Sequence, residues 1–338
     1  MMKIITSLFC GLLLLLPAAV RAQSEKNFVS VPVSVSDREG RYIAGLKKEN
    51  FRIILDGREQ KISFFAREDE PINVALVLDT SESTKGVLDK IRDAAGDFVD
   101  LLNENDKCLI ATFDSKVKVL GGFTADHRAL KKSLDKIESD EREGTVVFNA
   151  VAQLVRDEFP KTDGRKVIVL LSDGKDFGSS ITKKELLDGL EESDVMIYPI
   201  FYQTGRTTVD ANGRVKNEPP PKKEKKPKKP KGYMIQIGQP QDAGATDDYK
   251  LAEELASREA VGVLRGMSDT TAGRFYMSDA PNLGRVFRQI ATELRQQYRL
   301  GFDSKTPLTD AALGEIIVKV DRADAVVHAR GRYRAKKL

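Results

Sequence analysis

Residues 74–83 read VALVLDTSES. The five apolar residues at 74–78 form an unbroken run, the pattern of a strand buried on both faces of a parallel sheet, where alternation is lost because neither face meets water. The run ends at Asp79, and Thr80, Ser81, Glu82 and Ser83 follow as a short polar loop. Beyond it, Val87, Ile91, Ala94 and Phe98 recur at helical spacing, which predicts an amphipathic helix over 87–102. The same alternation continues outward. Strands are predicted at 107–113, 117–120, 166–171, 195–202 and 274–277, and helices at 127–137, 146–159, 183–192, 249–272 and 283–296. Buried strands alternating with amphipathic helices specify an α/β fold, a doubly wound and mainly parallel sheet with helices on both faces.

Both ends of the chain follow a different rule. From 28 to 68 the residues alternate, with Val29, Val31, Val33 and Val35 on one face and a second run at 61–66 after an Asp56-Gly57 turn. A short helical turn is expected at 48–51. After the last helix, YRLGFD, EIIVKVD and VVHARGRY alternate again. Two β ends around an α/β middle lead to the expectation that they meet in one accessory sheet or sandwich. The expected divisions are 1–22, a signal peptide; 23–70, an N-terminal β unit; 71–296, the α/β domain; and 297–338, a C-terminal β segment able to pair with 23–70.

The signal peptide is read from Lys3, the apolar stretch 4–16 and the small residues that end at Ala22. Cleavage after Ala22 implies a secreted, periplasmic or cell-envelope protein with no transmembrane segment left after cleavage; an uncleaved N-terminal anchor is the alternative. Cys10 leaves with the signal, so Cys108 has no intramolecular partner and reads as a small buried hydrophobe in CLIATF. A 338-residue chain with 41% hydrophobic content needs no disulfide to hold its core.

Charge is concentrated. The whole chain carries +4, yet 203–232 alone hold ten Lys and Arg against three Asp and Glu. That block, with PPPKKEKKPKKPK at its centre, interrupts the α/β alternation over 204–248 and reads as a Lys/Pro-rich disordered insertion, because it has no apolar area to offset the entropy of ordering. An arm for an anionic envelope component is the alternative reading. Without interleaved aromatic residues, specific nucleic-acid binding is not expected.

The chemistry gathers at strand ends. Asp79, Ser81 and Ser83 offer one carboxylate and two hydroxyls, the hard oxygen donors that Mg²⁺ takes. Asp173, within VLLSDGKD, puts a second carboxylate at the end of another buried strand, where doubly wound sheets collect ligands. Thr145, after Gly144, adds a third hydroxyl at a helix start. Each of these in isolation also suits a helix N-cap; together they form a metal-ligand set with one place open to an outside oxygen.

In these residues the sequence resembles the von Willebrand factor type A (VWA) family with its metal-ion-dependent adhesion site (MIDAS). The family pattern is Asp-x-Ser-x-Ser after the first strand, a threonine from a second loop and an aspartate from a third. Asp79, Ser81 and Ser83 match the first element, Thr145 in GTVVFNAV the second and Asp173 the third, over a resemblance spanning about 71–295. The resemblance implies a Rossmann-like fold, direct metal ligation by Ser81 and Ser83, ligation direct or through water by Thr145 and the aspartates, and a partner's acidic side chain completing the shell. Mg²⁺ or Mn²⁺ is the expected ion, with Ca²⁺ also compatible. The segments 45–65 and 293–302 are similar to an exported acidobacterial-type VWA-related subfamily. The insertion and Asn149, where many relatives are acidic, depart from the pattern.

The function expected is a noncatalytic module for adhesion or complex assembly, binding a protein that supplies a carboxylate. Glu82 and Asp176 are expected at its rim. An envelope scaffold working through the β unit and the basic insertion, with a vestigial metal site, is the alternative. An enzyme is not expected: the only histidines are His127 and His328, and neither GxxxxGK[ST] nor a Gly-rich dinucleotide loop occurs.

Overall fold

The central strand β5 (Ile72–Asp79) is buried along its whole length because it has a parallel neighbour on each side, β6 (Lys107–Phe113) and β8 (Arg165–Ser172). This is a computed structural model, which describes residues 27–39, 41–67, 70–139, 144–202, 207–209, 215–217, 243–304 and 313–334. The signal-peptide reading of 1–22 and most of the 204–248 block lie outside them.

The sheet is completed by β7 (Val117–Val119), β9 (Val195–Tyr202) and β12 (Tyr276–Ser278), in the order β12-β9-β8-β5-β6-β7. All its pairings are parallel except the edge hairpin of β6 and β7. Strand geometry sends Val74, Leu76 and Leu78 to one face and Ala75 and Val77 to the other. The first face packs on α1 (Leu88–Asp100), α2 (His127–Leu134) and α6 (Leu283–Arg295); Phe98 and Phe287 meet there with ring centroids 5.3 Å apart. The second packs on α3 (Val147–Gln153), α4 (Lys183–Glu191) and α5 (Ala243–Thr271). Helices on both faces of a mainly parallel sheet give the expected α/β, Rossmann-like architecture.

Some boundaries move for local reasons. The helix expected from 87 is preceded by a tight 3₁₀ stretch, Glu82–Val87, because the Thr84 hydroxyl donates to the carbonyls of Asp79 and Ser81 and winds the chain closely. The helix expected over 146–159 is α-helical only to Gln153; it widens into a π turn, Leu154–Glu158, and ends in a 3₁₀ turn containing Pro160. The reading of 204–248 as disordered throughout is corrected at three places. Strands β10 (Thr207–Val209) and β11 (Val215–Asn217) pair antiparallel, and α5 starts at Ala243, six residues before position 249. The β-branched Thr207, Thr208, Val209 and Val215 favour extended pairing, a local signal that the composition of the block hides.

The remaining strands are β1 (Asn27–Ser36), β2 (Phe51–Leu55), β3 (Arg58–Gln60), β4 (Ile62–Ala66), β13 (Tyr298–Ser304), β14 (Leu313–Val320), β15 (Val326–Ala329) and β16 (Arg332–Arg334). They form two four-stranded sheets, β15-β1-β13-β4 and β16-β14-β2-β3, and each sheet mixes strands from both chain ends. Pairings such as Val29 with Phe302 and Val31 with Leu300 bring together residues at opposite ends of the sequence. Val29, Val31, Val33, Val35, Ile53, Leu300 and Phe302 fill one apolar core between the sheets. At the β2–β3 turn Asp56 and Gly57 both have positive φ, the backbone twist that a two-residue hairpin requires.

The sandwich and the α/β domain meet at α6. Glu293 on that helix is fully buried, and its carboxylate accepts from the hydroxyls of Ser34 (3.3 Å), Tyr198 (3.4 Å) and Tyr276 (2.9 Å) and from that of Tyr42. Arg274 adds an ion pair at 3.2 Å. Burial, followed by the nearby Glu293 charge, raises the pKa of all three phenols and keeps them protonated donors. On the far side, the Arg330 guanidinium donates to the Leu190 and Ser193 carbonyls, capping the end of α4 from the sandwich.

Candidate metal centre

The carboxyl ends of β5, β6 and β8 open on one side of the sheet, and the polar loops that follow them converge there. Asp79, the last residue of β5, is wholly buried; its Oδ1 accepts from the Ser81 amide at 3.0 Å and its Oδ2 from the Ser172 hydroxyl at 2.9 Å. The Ser81 and Ser83 hydroxyls lie 3.1 Å apart, and the Ser83 hydroxyl lies close enough to the Asp173 carboxylate to favour its charged form. Asp79, Ser81, Ser83 and Asp173 therefore form one connected cluster across two loops.

Thr145 is tied by its main chain to the loop that carries Asp173. It exchanges two hydrogen bonds with Phe177, from the Thr145 amide at 3.3 Å and to the Thr145 carbonyl at 2.8 Å, and so ties the loop before α3 to the loop after β8. The following amide, Val146, donates to the Asp114 carbonyl at 2.9 Å, which anchors the same turn to the end of β6.

The loop after β8 is shaped by backbone constraints. Gly174 has φ +72, and a Cβ there would meet Leu264 Cδ1 at 2.9 Å and the Ala260 carbonyl oxygen at 3.0 Å, so only glycine lets the chain turn against α5. Asp176 is expected from the sequence as a rim group for a partner; its carboxylate instead accepts from the Phe148 amide at 3.0 Å and from Ser179, capping the N-terminus of α3 from another loop. Asn149 fastens the far side by accepting from the Ser180 amide and hydroxyl. Glu82 is exposed beside Ser83.

Two polar residues at these strand ends escape the sequence reading. Ser172 bridges β8 to Asp79, although it stands directly before Asp173 in the quoted motif. Asp114 directly follows β6; its buried carboxylate is paired with Lys118 at 2.9 Å and takes a 3.4 Å contact from the Thr80 hydroxyl. A carboxylate directly after the apolar run at 108–113 was the available signal.

Burial raises the Asp79 carboxyl to about 7, and the Asp173 charge adds to the rise; Asp173 is itself raised by burial, with Lys175 opposing. Two desolvated carboxylates that repel one another are stabilised by a cation, and the surrounding hydroxyls are hard donors. Among the described residues no three His, Cys, Asp or Glu side chains cluster as a metal site, so the donor set here mixes two carboxylates with hydroxyls. That composition fits an oxygen-seeking dication better than zinc held by imidazole or thiolate. Cys108 lies inside β6 with its thiol pushed up to about 12 by burial, and is inert.

Residues 74–175 match the family described as von Willebrand factor type A domain. Over this span the chain is similar to a VWA domain. The matched span runs from β5 to the loop after β8 and includes all five predicted metal ligands. No curated protein matches the chain significantly. Among solved structures, the conserved hypothetical protein BatB from Bacteroides thetaiotaomicron is 16% identical, with a TM-score of 0.44, over 66% of this chain and 97% of that one. The proximal thread matrix protein 1 of the mussel byssus, with a zinc-occupied MIDAS motif, is 14% identical with a TM-score of 0.48; the alignment covers 72% of this chain and 50% of the mussel protein. A von Willebrand factor type A protein from Catenulispora acidiphila is 14% identical with a TM-score of 0.45, over 93% of this chain and 75% of its own. No helix of the described residues is long and apolar enough to cross a membrane.

Proposed function

We propose that this VWA protein is an exported, noncatalytic module that binds a protein partner through a divalent metal held at a MIDAS by Asp79, Ser81, Ser83, Thr145 and Asp173. The observation that carries the reading is the buried Asp79–Asp173 pair, bridged by serine hydroxyls and raised in pKa by desolvation. Such a pair is costly as it stands and becomes favourable around a dication. Mg²⁺ or Mn²⁺ suits the donors, and Ca²⁺ is compatible with them. An incomplete oxygen shell leaves a position for a carboxylate from the partner. The absence of catalysis is proposed from the residue types: the cluster is built from carboxylates and hydroxyls, while His328 contacts the Gly273 carbonyl and His127 opens α2.

Thermal unfolding of the full chain in chelator, Mg²⁺, Mn²⁺ and Ca²⁺ tests the metal. A ligand at about 100 times its Kd stabilises the native state by about 2.7 kcal/mol, so Tm should rise by several degrees and the rise should vanish in Asp79→Ala. No rise at millimolar metal would remove the basis of the proposal.

A further inference from the structure

Phe177 is the most exposed large apolar side chain among the described residues, at 64%. Its setting is rigid. Asp176 is fixed to the Phe148 amide, Phe177 itself exchanges both main-chain bonds with Thr145, and Ser179 and Ser180 are fixed to Asn149. The flanking Gly174 and Gly178 hold positive φ that other residues rarely adopt. These bonds fix the backbone from which the Phe177 ring projects, and the phenyl group stands in water.

The position follows from the pairing. Thr145 and Phe177 are a hydrogen-bonded antiparallel pair, and side chains directly opposite one another emerge on the same face, with Cβ atoms about 5 Å apart. The ring therefore rises beside the Thr145 side chain, at the edge of the proposed metal site. The loops that form this face also carry Lys85, Lys116 and Lys175, with Glu82 as their exposed acidic neighbour. A preorganised aromatic beside a charged centre is the arrangement that concentrates binding energy at protein interfaces, since little entropy is lost on docking.

We infer that Phe177 is the apolar anchor of this binding face, and that the partner is an acidic protein segment presenting a carboxylate to the metal and a large apolar side chain, within three residues of it, to the Phe177 ring. The inference rests on the metal-site reading above.

A displayed library of twelve-residue peptides with a fixed central Asp and randomised flanks, sorted on the full chain in Mg²⁺, tests it. Enriched peptides should carry a large apolar residue within three positions of the Asp and lose binding in chelator and with Asp79→Ala. Phe177→Ser should weaken them at least tenfold, Phe177→Leu should retain most of the affinity, and both variants should keep the wild-type Tm rise in Mg²⁺. Metal-dependent peptides that bind Phe177→Ser as tightly as wild type, or that show no apolar preference, would overturn the anchor and leave the metal-site reading standing. A sort yielding no binder dependent on both Mg²⁺ and Asp79 would overturn both.

Discussion

Asp79 ends a strand that is buried on both sides, so its carboxylate has protein donors in place of water. Its pKa is about 7 against an ordinary 3.8. Between those values the folded chain keeps a proton that the unfolded chain releases. The Asp79 contribution to metal-free stability is therefore fullest below about pH 4 and is lost as pH rises through about 7, by up to about 1.4 kcal/mol per unit. Asp173, also raised, acts in the same direction. A dication needs the anion and competes with that proton, so the metal-induced rise in Tm should be small at pH 5 and large at pH 8. Asp79→Asn should abolish the metal response and reduce the metal-free pH dependence between pH 4 and 7, leaving the Asp173 part. Equal metal effects at the two pH values would contradict this assignment.

The loop from Asp173 to Ser180 works as an element because its residues face in different directions for different reasons. Asp173 turns to Ser83, Gly174 passes against α5, Asp176 caps α3 and the Phe177 backbone holds Thr145. Gly174→Ala places a Cβ 3.0 Å from the Ala260 carbonyl at a left-handed φ, and should cost about 2–3 kcal/mol, read as a lower urea midpoint at unchanged slope. Asp176→Ala removes a cap and should cost about 1 kcal/mol. Because the cap also sets where the loop lies, the same variant should weaken Mg²⁺ binding, measured by titration calorimetry, although Asp176 is no ligand in the proposed site.

At the scale of the molecule, the α/β domain interrupts a sandwich whose strands come from both chain ends, and α6 joins the two. Glu293 collects four hydroxyl groups and the Arg274 guanidinium in a buried position spanning β1, β9, β12 and α6. Removing one partner of a buried charged network leaves the others unpaired, at about 3–5 kcal/mol. Glu293→Ala should lower stability by that order and split a single calorimetric transition into two, as the sandwich and the α/β domain lose their shared polar core. Glu293→Gln keeps an acceptor and should cost less. A single, unshifted transition in Glu293→Ala would show that the contact does not couple the two parts.

Much of this was legible in the sequence because it is encoded by near neighbours. The run VALVL, the helical stripe from 87 and the alternating valines at 29–35 each declare a period within one element, and the polar residues after each strand end are adjacent to the apolar run that positions them. Those local patterns determined the α/β class, the β character of both ends and the candidate ligands Asp79, Ser81, Ser83, Thr145 and Asp173. They did not determine which strand lies beside which. Only the tertiary structure pairs β1 with β13, buries Glu293 at a junction although it reads as one more charge in an amphipathic helix, turns Asp176 from a rim group into a cap, and brings Ser172 and Asp114 into the site. The physical reason is distance along the chain: periodicity records which face of an element avoids water, whereas a hydrogen bond between residues a hundred or more positions apart exists only once the packing of whole sheets and helices has set their separation.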